Sequence, residues 1–285
     1  MKRAARTGLA IALLLAGLAV LLFVVANNRL NDSAVPVADS LLVPGAPKTV
    51  LAVWAHPDDE ITSAGTLARL AKEEGARVVL VYMSRGEAVK GLGYTAEQLA
   101  TLRPPEAQAA GRALGAARVV VLDYPDGGLT GVDATAAKAA IRKVVDEEKP
   151  SVVISFDEKV GFYGHPDHAQ TGRWVRAVVD DGAAQPGFPV RRLYQATLPT
   201  SMVKLALKLV DAFRTRYPKD PAKGLPAPDV TIRIPSQAAS KRAVLDAHTT
   251  QVKIIADVQP GYDKVPAWLY YRLFDREYYA IAVKR

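Results

Sequence analysis

Polar and apolar positions divide the chain into three unequal parts. The first is an uninterrupted apolar run from Gly8 to Ala26, preceded by Lys2, Arg3 and Arg6 and closed by Asn27, Asn28 and Arg29. At about 1.5 Å of rise per residue, a helix of that length nearly spans the roughly 30 Å hydrocarbon core of a bilayer. The run has no polar face, which argues against a helix packed in a soluble core. The basic flank predicts a cytoplasmic N-terminus, so the remainder is expected to be extracytoplasmic. Residues 1–26 therefore read as a membrane anchor. The alternative is a removed signal peptide, with Val24 and Ala26 as small residues of a cleavage site and a secreted product. Residues 27–48 carry Pro36, Pro44 and Pro47 among small and polar neighbours, which predicts an extended, flexible linker. The folded domain is expected over 49–285.

Within that domain short apolar runs alternate with segments of helical spacing. Strands are predicted at Thr49–Trp54, Arg77–Tyr82, Arg118–Leu122, Ser151–Phe156 and Val190–Ala196. Between them lie predicted helices at Glu60–Glu74, Thr95–Leu114 and Ala134–Glu148, and from Ala169 to Asp180. Strands separated by helices of this length predict right-handed crossovers and an α/β fold: a mostly parallel, doubly wound sheet with helices on both faces. Beyond Leu198 the spacing predicts a helix at Met202–Arg216, a proline-rich loop at Pro218–Pro228, a strand at Val230–Ile234, a helix at Gln237–Thr249 and a last strand around Tyr279–Val283. In open α/β sheets functional groups gather beyond the carboxyl ends of the strands.

Composition narrows the chemistry. The 285 residues are 49% hydrophobic and 23% charged, ordinary for a globular protein, and contain no cysteine. A metal site would have to be built from His, Asp or Glu. The net charge of +8 comes without any Lys/Arg cluster interleaved with aromatics, so no nucleic-acid partner is expected.

Three of the four histidines fall in two short segments. Ala55-His56-Pro57-Asp58-Asp59-Glu60 follows the first predicted strand, and His165-Pro166-Asp167-His168 follows the fourth across Asp157–Gly164. A parallel sheet can bring those strand ends together. His56, Asp59 and His168 then offer two imidazoles and a carboxylate, three ligands that leave a coordination position free for water. Taken singly, Asp58 or Asp59 would pass for a helix cap and His165 with His168 for a surface pair at a turn. Two such clusters at the same sheet end point instead to a metal site.

These two motifs, A-H-P-D-D-E and H-P-D-H, make the chain resemble the PIG-L, or LmbE-like, family of zinc-dependent N-acetylglucosaminyl deacetylases. Weaker similarities lie in Ser84-Arg85-Gly86-Glu87, in Arg103 and Glu106 leading to Leu114-Gly115, in Pro125–Leu129, and in Lys241 leading to His248 and Gln251. The resemblance implies a Rossmann-like sheet and Zn2+, or another divalent metal, held by His56, Asp59 and His168. It further implies Asp58 as general base, a protonated His165 as acid or oxyanion stabiliser, Asp167 orienting that imidazole, and Tyr163 near the substrate carbonyl. The expected reaction is hydrolysis of the amide of an N-acetylated amino sugar.

The chemistry asks for the same groups. Water becomes a nucleophile at neutral pH beside a divalent ion, a free carboxylate must take its proton, and the oxyanion and the leaving amine each need a partner. Asp126 is expected either to bind sugar hydroxyls or to shape a turn. Arg85 and Glu87 are candidates to line the pocket, and His248 is divided between a substrate contact and a structural role. An amidase acting on a non-sugar or thiol-conjugate amide and a non-catalytic carbohydrate-binding protein are the competing readings. The second has no use for Asp58 and His165.

Overall fold

A computed structural model describes residues 2–285. In its first helix, the side chains of residues 2–8, 10, 12 and 19, and so those of Lys2, Arg3 and Arg6, lie outside the described ones. That helix, α1 (Lys2–Leu30), is by length and composition long and apolar enough to cross a membrane. Its leucines, isoleucine and valines from Leu9 to Val25 are exposed, Leu14 to 74%, while Phe23 is half-buried.

Residues 31–48 correct the expectation of a flexible linker. Asn31, Val35 and Leu41 are buried, and Val37 pairs with Thr231 as a parallel bridge. The Ala38 and Thr231 amides donate to the carbonyls of Thr231 and Pro36. Asn31 Nδ2 donates to the Leu273 carbonyl at 2.6 Å, and the Asp32 amide to the Tyr278 hydroxyl at 2.8 Å. The prolines and small residues do make the segment extended, but its backbone groups pair with the sheet edge and Leu41 fills the core, so it is part of the domain.

The strands are β1 (Thr49–Trp54), β2 (Arg77–Ser84), β3 (Arg118–Tyr124), β4 (Val152–Ser155), β5 (Arg192–Thr197), β6 (Val230–Arg233) and β7 (Arg276–Lys284). They form one sheet in the order β3-β2-β1-β4-β5-β7-β6, parallel through the first five, with β7 antiparallel to both its neighbours. This is the Rossmann-like, mostly parallel arrangement expected. Successive residues alternate between the two covered faces. Val50, Ala52 and Trp54 enter one core with Leu67, Leu80 and Leu245, while Leu51, Val53 and Ala55 enter the other with Ile141, Trp174 and Val178.

The helices after α1 are α2 (Ala64–Lys72), α3 (Ala96–Leu114), α4 (Ala134–Glu148), α5 (Gly161–Gly164), α6 (Pro166–Ala183), α7 (Thr200–Leu209), α8 (Asp211–Arg216), α9 (Ala238–Ala247), α10 (Val252–Val258) and α11 (Ala267–Leu273). The helix expected from Glu60 starts instead as a 3₁₀ turn, Asp59–Thr62, because Asp59 and Glu60 turn inward to hold the amides of His56 and Asp58. The helix expected over Met202–Arg216 breaks at Val210, whose extended backbone (φ −108°, ψ 119°) lets Phe213 turn into the interior. The chain leaves β1 for β2 and β4 for β5, on opposite sides. Because β1 and β4 are neighbours, a crevice opens between their carboxyl ends.

Candidate metal centre

Both histidine motifs lie in that crevice. One ligand atom from each of His56, Asp59 and His168 lies within 4.8 Å of the others, and all three residues are buried. His168 Nε2 is 3.1 Å from one Asp59 oxygen, and His56 Nδ1 is 3.5 Å from the other. Phe156, just past β4, stacks on the His168 ring at 4.2 Å with an interplanar angle of 2° and fixes its plane. Among the described residues Nδ1 of this buried imidazole has no hydrogen-bond partner, and Nε2 meets only the Asp59 oxygen, without hydrogen-bond geometry. Buried polar atoms are rarely left so, and a cation facing Nε2 accounts for the vacancy in its bonding. The donor set of two imidazoles and one carboxylate suits a divalent ion such as zinc.

Around His56 the wiring is dense. Its Nε2 lies 3.0 Å from Asp126 and 3.3 Å from Asp167, so carboxylates hold the far side of the ring. Burial disfavours a charge on His56, but Asp126, Asp167 and Asp59 outweigh it and hold its pKa well above the ordinary value. Asp59 is drawn well below the usual carboxylate range: burial opposes this, and the two histidines prevail.

Asp58 is not a helix cap. Its side chain makes no capping hydrogen bond, and its backbone sits in the left-handed region (φ 101°), a strained conformation for a residue with a side chain. The carboxylate is 2.8 Å from Arg103 Nη2, and burial, against the opposing pull of Arg103, raises its pKa to about 6. Arg103, 1% exposed, also donates to the carbonyls of Gly86 (2.5 Å) and Pro57. Gly86 is required there: φ is 76°, and a Cβ would overlap the Arg103 guanidinium. Sequence reasoning gave Arg103 no role beyond a family-like position. The signal was a charged residue inside the stripe Leu99, Arg103, Glu106, Ala107 and Ala110 that α3 buries.

The loop between β4 and α6 is shaped by buried Asp157, whose carboxylate accepts from the amides of Lys159, Val160 and Phe162. It holds Phe162 at a strained φ of 68° and sets Tyr163 edge-on to His168 at 5.0 Å. Here two expectations change. His165 Nδ1 accepts a hydrogen bond from the Asp167 amide at 3.2 Å, and burial with His168 and His56 nearby lowers its pKa to about 3. Burial and the amide bond to Nδ1 thus both favour the uncharged imidazole at His165. The Asp167 carboxylate does not hold His165; it accepts from the amides of Gly127 (2.7 Å) and Leu129 (3.2 Å) and faces His56.

The remaining candidates are redistributed. Arg85 pairs with exposed Asp123 at 2.9 Å, away from the crevice, because its strand-end position points it to solvent. Glu87 accepts from the Asp126 amide at 3.0 Å and so braces the loop. Asp126, its pKa held to about 2 against burial by His56, has one oxygen on that ring and the other on the Ala88 amide, so it is a support and not a free sugar ligand. His248 is wholly buried, 2.5 Å from equally buried Glu60, which closes it to substrate. Beside the crevice a cavity of about 270 Å³ touches Asp58, Asp59, Tyr163 and His168 and runs between α7, α8, α10 and α11.

Comparison with known proteins bears on this geometry. The family model described as "PIG-L: GlcNAc-PI de-N-acetylase" matches residues 51–179. A 1D-myo-inositol 2-acetamido-2-deoxy-alpha-D-glucopyranoside deacetylase of Nakamurella multipartita is 33% identical over 251 residues, covering 75% of this chain and 83% of the relative. The chain belongs to the PIG-L family. The Rhodococcus opacus deacetylase of the same name is also 33% identical, over 73% of this chain and 82% of its own length. Among solved structures, N,N'-diacetylchitobiose deacetylase from Pyrococcus horikoshii shares the fold, with a TM-score of 0.60 at 20% identity over 83% of this chain and 84% of that one. This PIG-L member is an N-deacetylase, an amide hydrolase by family, and its His-Asp-His cluster is of a kind that can hold a metal ion.

Proposed function

We propose that this chain is a zinc-dependent N-deacetylase that hydrolyses the amide of an N-acetylated amino sugar in a glycoconjugate, and that it works outside the cytoplasm. The observation that carries the reading is the convergence of the buried donors His56, Asp59 and His168 on one point, with Asp58 alongside.

A divalent ion held by those three residues supplies Lewis acidity, which makes hydroxide available near neutral pH. The chain's own groups do the rest. Asp58 points into the cavity and keeps a pKa near 6, so it can take the proton of the attacking water and pass it to the departing amine. Neutral His165 donates its Nε2 proton to the developing oxyanion, and Tyr163 covers the same space. Asp126 and Asp167 fix the plane and tautomer of His56, and Arg103 aims Asp58.

The extracytoplasmic reading is supported by the basic flank of the apolar helix. Retention as an anchor is supported by Asn27 and Asn31, which donate from the end of α1 to the carbonyls of Arg272 and Leu273. One experiment tests both parts. The purified full-length protein, assayed for metal content, is expected to contain zinc and to release acetate from an N-acetylglucosaminide. Intact cells are expected to hydrolyse the same glycoside when it carries a group that cannot enter them. Metal-loaded protein inert on every sugar amide overturns the activity. Hydrolysis by lysed cells alone overturns the location.

A further inference from the structure

The cavity beside the metal centre is apolar in a way that amino-sugar recognition does not require. Its walls include Met202 and Leu205 from α7, Phe213 from α8, Ile255 and Val258 from α10, and Phe274 just after α11. The charged residues that reach it are already paired: Lys241 with Glu277 at 2.6 Å, and Arg276 with Asp275 at 2.7 Å. Glu277 is further engaged by the amides of Gly65 and Thr66 at the start of α2. Among the described residues no free charge therefore waits there for sugar hydroxyls, and the polar groups of Thr197, Tyr271 and Tyr278 are already bonded to Pro226, Gln259 and Asp32. The loops after β2 and β3, which carry Glu87 and Asp126, lie on the other side of the donors, and neither residue lines the cavity. An amide placed at the metal centre would then turn its sugar toward those loops and its acyl carbon toward the cavity.

Size and setting agree. The cavity of about 270 Å³ is far larger than one methyl group needs, which is all that acetyl would place there. The helices α7 and α11, which wall the cavity, are both touched by α1, and both carry apolar side chains to the surface, Leu209 (53% exposed) and Trp268 (60%). Apolar side chains thus run from the foot of the helix that can sit in a bilayer, through the cavity wall, to the metal donors.

We propose that this cavity is an acyl-chain site, and that the amide cleaved belongs to an amino sugar bearing a medium or long N-acyl chain, with acetyl as the short limit of the series. The proposal rests on the amide-hydrolase reading of the same centre. The bond changes are those of the deacetylation. The amide C–N bond breaks, the water oxygen forms the new C–O bond, and the proton taken from water ends on the amine nitrogen. The products are a free fatty acid and an amino sugar.

The test uses the full-length protein in lipid nanodiscs with glucosamine derivatives carrying N-acetyl, N-butyryl, N-hexanoyl and N-octanoyl groups. Rising kcat/KM is expected, by up to about fourfold for each methylene buried. The variants Ala206→Phe and Val258→Phe, each shrinking the cavity from a different wall, are expected to lower the octanoyl-to-acetyl ratio of kcat/KM at least roughly tenfold, the scale of losing a few methylene contacts. A second readout does not depend on turnover: dansyl-undecanoic acid should bind the wild type, be displaced by octanoate and not by acetate, and bind more weakly to both variants. Acetyl cleaved with a flat or falling chain-length profile overturns the proposal and leaves the deacetylase reading standing. A gain that appears only for N-acetylglucosamine carrying an octyl aglycone overturns it as well, since the chain then belongs to the other end of the substrate. If no sugar amide is cleaved, the activity reading fails, and dansyl-undecanoate binding alone decides whether the cavity takes a chain.

Discussion

The crevice between β1 and β4 and the cavity that opens from it share Asp58, Asp59 and His168, yet they are built in opposite ways. In the crevice, charged side chains and backbone groups are tied together by multiple directed bonds. Arg103 serves Pro57, Gly86 and Asp58; Asp167 serves Gly127, Leu129 and His56; Asp157 serves three amides of one loop. Such a network has one good arrangement, because any displaced member leaves a buried partner unmet. The cavity is walled largely by apolar side chains, on short helices separated by turns. The difference assigns the parts their work: the crevice holds atoms at fixed places for chemistry, and the cavity accommodates whatever apolar group is attached to them.

The largest effect should come from the crevice, and from the two adjacent aspartates in different ways. Asp59→Ala is expected to lower metal content together with activity. Asp58→Asn should keep the metal and lose turnover by about 10²–10⁴-fold, the range for removing a general base. Metal analysis of the purified variants beside single-turnover rates decides between them. An Asp58→Asn protein that loses metal as readily as Asp59→Ala makes Asp58 a ligand and removes the proposed base. One with metal and near-normal turnover makes the strained φ at Asp58 a feature of the loop alone.

A smaller but still large effect is expected from Arg103→Leu. The substitution leaves Asp58, whose side chain is 16% exposed, without its cation and frees the carbonyls of Pro57 and Gly86. Breaking a buried pair from one side costs about 3–5 kcal/mol, and the partial exposure of Asp58 places the expectation near the lower end. Urea unfolding of the full-length protein measures it. Arg103→Lys, which restores charge without the planar fork, should recover only part of the loss. Stability within about 0.5 kcal/mol of wild type, the range of ordinary surface changes, would show that the network does not depend on this residue.

The same contrast governs what could be read from the chain. The crevice was legible because its chemistry is local: His56 and Asp59 are three residues apart after one strand, and His165, Asp167 and His168 lie together after another. The strand–helix alternation predicted that those ends meet, and β1 does pair with β4. Arg103 escaped because its meaning is a long-range contact from a helix that also contains Pro104 and Pro105. The surroundings of His165 were not legible because they depend on a backbone amide and on neighbouring histidines, neither visible in spacing. The cavity was illegible for a deeper reason. Helices of seven residues such as α10 and α11 are too short to show a period, and Val210 breaks a pattern that looked continuous. Residues 31–48 misled in the same way, since prolines and small residues mark an extended backbone equally well whether it is docked or free.

That last segment carries the smallest prediction, and it tests whether the membrane helix and the cavity wall are coupled at all. Asn31 is 3% exposed at the end of α1 and donates 2.6 Å to the carbonyl of Leu273, the last residue of α11, as well as 3.0 Å to Asn27. Asn31→Ala removes both bonds, while Asn27 still reaches Leu273 at 3.2 Å, so the net loss should be about 1 kcal/mol, the ordinary worth of an intramolecular hydrogen bond. Global stability will barely register it. Hydrogen exchange will, because opening of 31–42 and of α11 should become about fivefold more frequent for a loss of that size. The two regions should respond together, since the bond joins them. If the amides of Ala38 and Thr231 exchange in the wild type as fast as those of an unstructured peptide, the segment is a free tether after all, and α1 and the cavity wall move independently. If only 31–42 responds and α11 does not, the segment is docked but transmits nothing to the wall of the cavity.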